Sequence, residues 1–351
     1  MKLNNLLWNP TSQAPPDSEK LAEDLSDANS RNFNKQSISS INSSPEPTWT
    51  FSSYSFYQSP ILHCTPSPPN SGLNIIIPLG GKGERFQKEG FTVPKPLIKI
   101  FDKEMIFYVL DNLNIKDEDN IYIIYHYSLD EYDFCNIINS KYPRIIFIKL
   151  DKQTLGAAET IKIGLEHIIP MAQQTGDSTS NTLLNKKCIL LDCDTFYTSD
   201  ILQSFRNIDT NAVFYVKNYD TNPIFSYISL DDKNKIIDIK EKIKISDNAN
   251  VGIYCFNDYR ILYEYCNIII DNNIMFKNEY YTSCVIAKLL ESNHDFYGIE
   301  LEENDVHILG TPAQVKKFIE NISLHQRLNL TCLVGYQNCL EWFEHFSNMP
   351  K

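Results

Sequence analysis

The residues with the clearest chemical potential lie in one short stretch, where glycines precede two cationic side chains. An apolar, β-branched run over residues 73–78 leads into this stretch and predicts a buried strand. Glycine lets the backbone adopt positive φ and approach a ligand closely, because it has no Cβ. Arg85 and Lys95 follow shortly afterwards. A strand, a glycine turn and two cations together are typical of a loop that binds phosphate groups.

Two better-known glycine motifs do not account for this stretch. The dinucleotide-binding fingerprint needs a third glycine where the chain has Phe86, and the Walker loop needs a Gly-Lys-Ser/Thr sequence that the stretch lacks. A plain tight turn is the alternative for Gly81 and Gly83 considered alone. The prolines on either side of Lys95 argue against that alternative.

The order and spacing of these residues resemble the opening segment of the sugar-1-phosphate nucleotidyltransferases, also called NDP-sugar pyrophosphorylases. The resemblance rests on two sequences, Leu79-Gly80-Gly81-x-Gly83-x-Arg85-Phe86 and Pro94-Lys95-Pro96-Leu97. It implies that Arg85 and Lys95 are catalytic. It also implies that the nucleotide is bound by Leu79, Gly80, Gly81 and Gly83. The family usually has Thr where this chain has Glu84, which adds a negative charge beside the phosphates.

A second segment lies between a predicted strand and a predicted helix, and its sequence is Gln153-Thr154-Leu155-Gly156-Ala157-Ala158. A glutamine side chain offers both a donor and an acceptor to a base edge. A helix cap with small packing residues is the alternative reading of the segment. Its similarity to the base-binding segment of the same family implies that Gln153 and Gly156 contact the nucleotide.

A third segment, Asp192-Cys193-Asp194, follows a predicted buried strand. A carboxylate at the carboxyl end of a parallel strand lies in the ligand-binding crevice of such a sheet. We expect only one of these two carboxylates to bind a metal. The resemblance implies that Asp194 binds Mg²⁺ and leaves the role of Asp192 open. An Asp-rich turn is the alternative.

Two later segments resemble the acceptor-binding part of the family. They imply that Glu241 binds sugar hydroxyls, that Lys242 faces the phosphate of the sugar, and that Gly252 lets the acceptor approach the strand. A polar strand end with surface charges is the alternative. The resemblance also leads us to expect an Asp metal ligand where this chain has Ser283. Activity is compatible with the serine, because Mg²⁺ needs few protein ligands when phosphates and waters complete its octahedron.

The elements that would position these residues follow an alternating pattern. Strands alternate with helices as far as residue 191, with helices near residues 129–141 and 156–169 and a surface loop at residues 170–187. This order predicts an α/β, Rossmann-like (GT-A-like) fold, in which helices flank both faces of a mixed, mostly parallel sheet. Closely spaced strands after residue 210 predict a smaller β-rich subregion on the acceptor side.

The chain divides into three parts by composition. Residues 1–72 are rich in Ser, Pro and Asn, which predicts a disordered tail. Residues 73–322 contain every segment described above and form the predicted nucleotidyltransferase domain. Residues 323–351 predict a C-terminal helical extension. A helix near residues 312–321 is expected to begin with Thr311 as its N-cap.

Overall composition narrows the possible partners. A net charge of −12 argues against a nucleic-acid partner, whereas a nucleotide needs only a few local cations. No run is long and apolar enough to span a bilayer or to serve as a signal peptide. Nine scattered cysteines predict neither a zinc site nor a disulfide framework. We therefore expect a cytoplasmic protein with no membrane contact that binds an NTP and a sugar phosphate, with a homo-oligomer left open.

These observations predict nucleotidyl transfer from an NTP to a sugar 1-phosphate, with Mg²⁺ as cofactor. One alternative is a cytidylyltransferase acting on a non-sugar phosphate such as phosphocholine. Another is a glycosyltransferase that uses Asp192 and Asp194, although such an enzyme would not need Arg85 and Lys95 to hold a leaving pyrophosphate. A non-catalytic, nucleotide-sugar-binding regulatory homologue is the third, and Ser283 keeps it open.

Overall fold

The computed structural model describes residues 72–174 and 186–328. The strands in these ranges are β1 (Leu73–Leu79), β2 (Lys99–Ile100), β3 (Lys103–Glu104), β4 (Asn120–His126), β5 (Ile145–Leu150), β6 (Lys187–Leu191), β7 (Thr195–Tyr197), β8 (Asn211–Lys217), β9 (Ser226–Leu230), β10 (Ile236–Glu241), β11 (Asn248–Phe256), β12 (Phe296–Glu300) and β13 (Val306–Ile308). The α-helices are α1 (Glu84–Lys88), α2 (Met105–Asp111), α3 (Phe134–Asn139), α4 (Ala157–Gln174), α5 (Ile201–Arg206), α6 (Tyr259–Asp271), α7 (Thr282–Glu291) and α8 (Pro312–Leu328). None of these helices is long and apolar enough to cross a membrane.

Nine of the strands form one mixed sheet. Its order is β10-β9-β11-β6-β1-β4-β5, and β8 pairs with both β11 and β12. The central strands β6, β1, β4 and β5 are parallel, whereas β11 runs antiparallel to β6. Because β1 and β6 are parallel neighbours, the glycine loop after β1 and the Asp192–Asp194 segment after β6 lie at the same edge of the sheet.

Side chains alternate between the two faces of β1, as expected for an extended chain. Ile75 and Ile77 are fully buried on one face, in a core that includes residues of α2, α3 and α5. Ile76 is fully buried on the other face, in a core that includes residues of α4, α6 and α7. The predicted α/β fold, with a mixed sheet between two helical layers, is therefore confirmed.

Two local predictions were wrong. The single helix expected at residues 129–141 is a 3₁₀ segment, Tyr127–Tyr132, followed by α3, because Asp133 between them adopts a left-handed φ of 55°. The surface loop was predicted to start at residue 170, and this start is too early, because α4 continues through the exposed Pro170 to Gln174. At its far end, Lys187 already belongs to β6, and residues 175–185 of the loop lie outside the described residues.

The predicted terminal segments lie largely outside the described residues. Of the predicted tail only Gly72 is described, and residues 329–351 of the C-terminal extension are not. Helix α8 passes through residue 322 and ends at Leu328, so the domain boundaries stay predictions. The N-cap prediction is confirmed, since the Gln314 backbone N–H donates to Thr311 Oγ1 at 3.2 Å.

A buried carboxylate fastens the amino end of β1 at the edge opposite the glycine loop. The fully buried side chain of Asp119 accepts hydrogen bonds from the backbone N–H groups of Leu73 at 2.8 Å and Lys116 at 2.7 Å. The same carboxylate pairs with Arg206, whose side chain is only 7% exposed. Removal of the carboxylate would leave a buried guanidinium without its counter-charge.

We expect Asp119→Ala to lower the free energy of unfolding by about 3–5 kcal/mol, the cost of breaking a buried ion pair from one side. Urea unfolding followed by circular dichroism would measure the loss. Asp117→Ala is the matched control, because Asp117 is fully exposed and lies 2.9 Å from Arg144. Its effect should be below about 1 kcal/mol. Equal losses in the two variants would contradict this account.

Candidate active site

The glycine loop begins in a place where no side chain fits. A Cβ added to Gly80 would lie 2.2 Å from Thr160 Oγ1 and 2.5 Å from Thr154 Oγ1. These two hydroxyls are hydrogen-bonded to each other at 2.7 Å. Leu79, the last residue of β1, is buried beside them. Gly80 is therefore required for close packing between the end of β1 and the start of α4.

The last glycine of the loop sets the start of α1. Gly83 has a φ of 66°, a left-handed conformation that favours glycine, and it immediately precedes the helix. A Cβ on Gly83 would lie 3.1 Å from Lys95 Cβ, so the glycine also leaves room for that lysine. Gly81 differs, because it is exposed and an added Cβ would meet no atom within 4 Å.

Lys95 and Asp194, which are far apart in sequence, meet at this edge of the sheet. The Lys95 ammonium contacts the Asp194 carboxylate, and the two side chains are only 17% and 20% exposed. The Lys95 Nζ also lies 5.7 Å from the centroid of the Phe86 ring. Burial is the largest single influence and lowers the pKa of Lys95, but the combined attraction of Asp194, Cys193 and Asp192 raises the pKa overall. The structure thus joins a predicted catalytic cation to the predicted metal ligand.

Arg85, one of the two cations of α1, has a guanidinium that is not paired with any described residue. Arg85 is exposed, and its guanidinium forms no hydrogen bond or ion pair with another described residue. The neighbouring Glu84, which stands where the family usually has Thr, is 62% exposed and lies 4.0 Å from Lys88 Nζ. The extra negative charge is therefore paired with Lys88, one helical turn away, and the Arg85 guanidinium is left to bind a ligand.

One side-chain amide links the glycine loop to the second predicted segment. Gln153 Nε2 donates to the carbonyl oxygen of Gly80 at 2.6 Å and to that of Thr154 at 3.2 Å. Gln153 Oε1 is buried and accepts no hydrogen bond from the described part of the chain. A buried acceptor left unpaired costs about 1–3 kcal/mol. Oε1 is therefore a buried acceptor that the described part of the chain leaves unsatisfied.

Gly156 fastens this segment to the loop that precedes α7. Its φ is 135°, and a Cβ would lie 2.5–2.9 Å from backbone atoms of Tyr280. Backbone hydrogen bonds close the contact: Tyr280 N–H donates to Leu155 O at 2.7 Å, and Ala158 N–H donates to Tyr280 O at 3.0 Å. The packing requires a glycine at position 156, whether or not that residue also contacts a ligand.

The two aspartates after β6 have different surroundings. The Asp192 carboxylate is exposed and forms no hydrogen bond or ion pair with another described residue. Enclosure by the surrounding protein and repulsion from Asp194 raise the pKa of Asp192, while Lys95 opposes the rise. A Cβ on Gly252, whose φ is 83°, would lie 2.4 Å from Asp192 Oδ2. Gly252 therefore creates the space that Asp192 occupies.

The predicted acceptor residues form a polar network at the end of β10. Ser283 Oγ donates to Glu241 Oε2 at 2.7 Å, and Lys242 Nζ lies 3.5 Å from Glu241 Oε1. Lys242 Nζ also donates to the Tyr281 hydroxyl at 2.6 Å. Burial raises the pKa of Glu241, although the hydrogen bond from Ser283 and the charge of Lys242 oppose it. Ser283 is thus a hydrogen-bond partner of Glu241, the carboxylate that is predicted to bind the acceptor substrate.

The described residues contain no group of three or more His, Cys, Asp and Glu side chains arranged to bind a metal ion. Asp192 and Asp194 are the carboxylates placed nearest to the Lys95 ammonium at the end of β6. Magnesium is often bound by one or two carboxylates when phosphates and waters supply its other ligands. This donor set therefore fits Mg²⁺ that arrives with a phosphate-bearing ligand.

Several contacts were missed by the sequence analysis. Tyr281 had no assigned role, because nothing local marks a tyrosine that will meet Lys242. Gly310 was also unassigned, although a Cβ there would lie 3.1 Å from Asp194 Oδ2. The signal that could have found Gly310 was its Gly-Thr-Pro sequence before α8. The backbone N–H of Leu309, just before it, donates to Asp194 O at 2.7 Å.

Comparison with known families gives one match that covers most of the chain. The family model described as "Nucleotidyl transferase" matches residues 74–297, a range that includes every predicted site residue. A curated relative, the bifunctional protein GlmU of Methanocaldococcus jannaschii, is 25% identical over 190 residues, or 53% of this chain. The match spans 40% of the length of that relative.

Two solved structures show the same fold. A nucleoside-diphosphate-sugar pyrophosphorylase from Vibrio cholerae RC9 superposes with a TM-score of 0.58 at 19% identity, covering 70% of this chain and 99% of that one. A CTP:phosphocholine cytidylyltransferase from Streptococcus pneumoniae superposes with a TM-score of 0.53 at 17% identity, covering 72% and 99%.

We expect Gly156→Ala to lower the free energy of unfolding by about 1–3 kcal/mol, because alanine is strained at that φ and its Cβ would overlap Tyr280. Thermal and urea unfolding would measure the change. Gly81→Ala is the control from the same site, since its Cβ would enter open space. That variant should stay within about 0.5 kcal/mol of the wild type. Similar losses of unfolding free energy in both variants would contradict the expected overlap between a Cβ at position 156 and Tyr280.

Proposed function

The chain belongs to the nucleotidyl transferase family, and from this premise we propose that it transfers a nucleoside monophosphate from an NTP to a sugar 1-phosphate. The products are an NDP-sugar and pyrophosphate. The observation that carries the proposal is the Lys95–Asp194 contact at the carboxyl end of β6. Lys95 packs against Gly83 of the glycine loop, which is suited to the triphosphate. Asp192 interacts electrostatically with Lys95, with Asp194 and with Glu241 of the network suited to the acceptor.

The proposed reaction is a displacement at the α-phosphorus. A phosphate oxygen of the acceptor forms a bond to that phosphorus, and the bond from it to the bridging oxygen of the β-phosphate breaks. Pyrophosphate leaves with the electron pair of the broken bond. The attacking phosphate is already anionic near neutral pH, so no general base is needed. The main obstacle is to bring two polyanions together, which requires fixed positive charge and alignment.

Arg85 and Lys95 are the cations proposed to supply that charge. The exposed Arg85 guanidinium, which has five donors and no partner among the described residues, suits the β- and γ-phosphates and the departing pyrophosphate. The enclosed Lys95 ammonium suits the α-phosphate, where charge is shared between nucleotide and acceptor. A cation in a partly desolvated site acts more strongly than one in bulk water.

Asp194 is proposed to hold Mg²⁺. The ion would neutralise phosphate charge and hold the phosphates in a fixed geometry. The contact of Asp194 with Lys95 fits this role, because a carboxylate that is already paired with a cation binds a further cation only when phosphates add negative charge. Metal and nucleotide are therefore expected to bind together.

The remaining predicted residues are proposed to recognise the two substrates. The unpaired Gln153 Oε1 would accept a hydrogen bond from the base. Glu241, held by Ser283, would accept hydrogen bonds from acceptor hydroxyls, and Lys242 would bind the acceptor phosphate. Gly252 would let the acceptor lie beside Asp192.

A second candidate acceptor is a phosphate that carries a cationic group, such as phosphocholine. One observation favours it: the Asp192 carboxylate is exposed beside Gly252 and has no partner among the described residues. An unpaired carboxylate can bind either a hydroxyl or a cation. The structural likeness to a CTP:phosphocholine cytidylyltransferase supports including this acceptor class in the test.

The direct test is a pyrophosphate-release screen of the purified protein with Mg²⁺, four NTPs, and sugar 1-phosphates and alcohol phosphates as acceptors. We expect release with one NTP and a sugar 1-phosphate. Release only with CTP and phosphocholine would instead support the second candidate. NTP binding measured by calorimetry without release from any pair would overturn both, and would support a non-catalytic regulatory role.

We expect Arg85→Ala and Lys95→Ala each to lower kcat by about 10²-fold or more, the typical cost of losing one preorganised charge-stabilising group. The pyrophosphate assay would measure kcat, and circular dichroism would verify that the fold survives. Lys99→Ala is the control, since Lys99 lies close to Lys95 in sequence, has no role in the proposed site and has a side chain that is 61% exposed. It should keep wild-type kcat. Wild-type turnover in either of the first two variants would remove that residue from the mechanism.

A further inference from the structure

Tyr281 lies between the two halves of the proposed active site. We propose that it is a positioning residue, which fixes the Lys242 ammonium for the phosphate of the acceptor. The inference rests on the proposed function of Lys242 and adds a residue to it. Tyr281 is half-buried and immediately precedes α7.

The Tyr281 ring and hydroxyl both contact the lysine. Lys242 Nζ donates to the Tyr281 hydroxyl at 2.6 Å, and it also lies 4.3 Å from the centroid of the ring. The first contact is a hydrogen bond from a charged donor, and the second is a cation–π interaction. A flexible four-carbon side chain whose ammonium is held against one tyrosine has few remaining conformations, so its charge is localised before any ligand binds.

The other side of the ammonium is bounded by Glu241. Lys242 Nζ is 3.5 Å from Glu241 Oε1, and the second oxygen of that carboxylate accepts the Ser283 hydroxyl. The backbone of Lys242 is fixed too, with a φ of 50° and a hydrogen bond from its N–H to Phe225 O at 2.9 Å. An ammonium has three donors. The Tyr281 hydroxyl accepts from one of them and Glu241 lies at ion-pair distance, so N–H donors remain for a phosphate oxygen.

Tyr281 is itself held by its surroundings. Burial and hydrogen bonding with Glu279 raise the pKa of the phenol, and Arg85 lowers it to a smaller extent. The phenol therefore stays neutral near neutral pH, and its oxygen accepts a hydrogen bond from the Lys242 ammonium. The ring of Phe276 packs edge-on against Tyr281, with the centroids 6.2 Å apart.

The position of Tyr281 connects the acceptor residues to the nucleotide loop. The preceding residue, Tyr280, exchanges backbone hydrogen bonds with Leu155 and Ala158 on either side of Gly156. The segment that holds Lys242 is thus part of the same packed unit as the segment that contains Gln153.

Tyr281→Phe tests the hydroxyl while keeping the ring. We expect the KM of the acceptor to rise about 10-fold, because the hydrogen bond lost is one to a charged group. The KM of the NTP should change less than about 2-fold, and the thermal midpoint should not move. Tyr215→Phe is the control, since its hydroxyl donates to Glu300 at 3.0 Å, outside the proposed site. It should leave both KM values unchanged.

A double-mutant cycle with Lys242→Met tests whether Tyr281 acts through the lysine. In the Lys242→Met background, Tyr281→Phe should have no further effect on the KM of the acceptor. An unchanged acceptor KM in Tyr281→Phe would overturn the proposal. So would a 10-fold loss that persists without the lysine, or an equal rise in the KM of the NTP.

Calorimetry with inorganic phosphate separates this inference from the proposed function. If no acceptor supports pyrophosphate release, the proposed function fails, and phosphate binding alone decides the role of Tyr281. Phosphate binding that Tyr281→Phe weakens in the wild type, but does not weaken further in the Lys242→Met variant, supports the positioning role. Binding that depends on neither residue, or no binding to the wild type, overturns it.

Discussion

Opposite charges meet where the glycine loop faces the end of β6, because the Lys95 ammonium contacts the Asp194 carboxylate there. Each charge is mostly withdrawn from water, and either one alone would be costly to bury. The surrounding backbone is built to hold both. Gly83 leaves room for the lysine, and the Leu309 N–H binds the carbonyl of Asp194. A polyanionic ligand would therefore meet a charge pair that is already placed.

Close backbone contacts hold the rest of the site in place around this pair. Gly80, Gly156 and Gly252 each occupy a place where a Cβ would overlap a neighbouring group. The neighbours belong to distant parts of the chain, so each glycine joins two segments. Gly156 joins the Gln153 segment to the segment that carries Tyr281. Both proposed substrates would thus be bound by parts of one packed unit.

The regular elements around the site could be predicted because their side-chain periodicity is strong. Strand β1 was predicted from its apolar run, and the N-cap at Thr311 from local sequence chemistry. The three-residue strand β7 was not predicted, since its pairing with β13 depends on a distant partner. The division of the helix expected at residues 129–141 was also missed, because it depends on the left-handed conformation of Asp133, a residue other than glycine.

The sequence alone determined which chemical groups are present and where the chain can bend. Its glycines, its two loop cations and its strand-end aspartates are local features, and their residue types limit their chemistry. The tertiary structure decided which groups meet. Lys95 contacts Asp194, and Lys242 contacts Tyr281, only because the strand order brings separate chain segments to one edge of the sheet. Such pairings have no local signal, since they depend on packing between elements rather than on propensity within one.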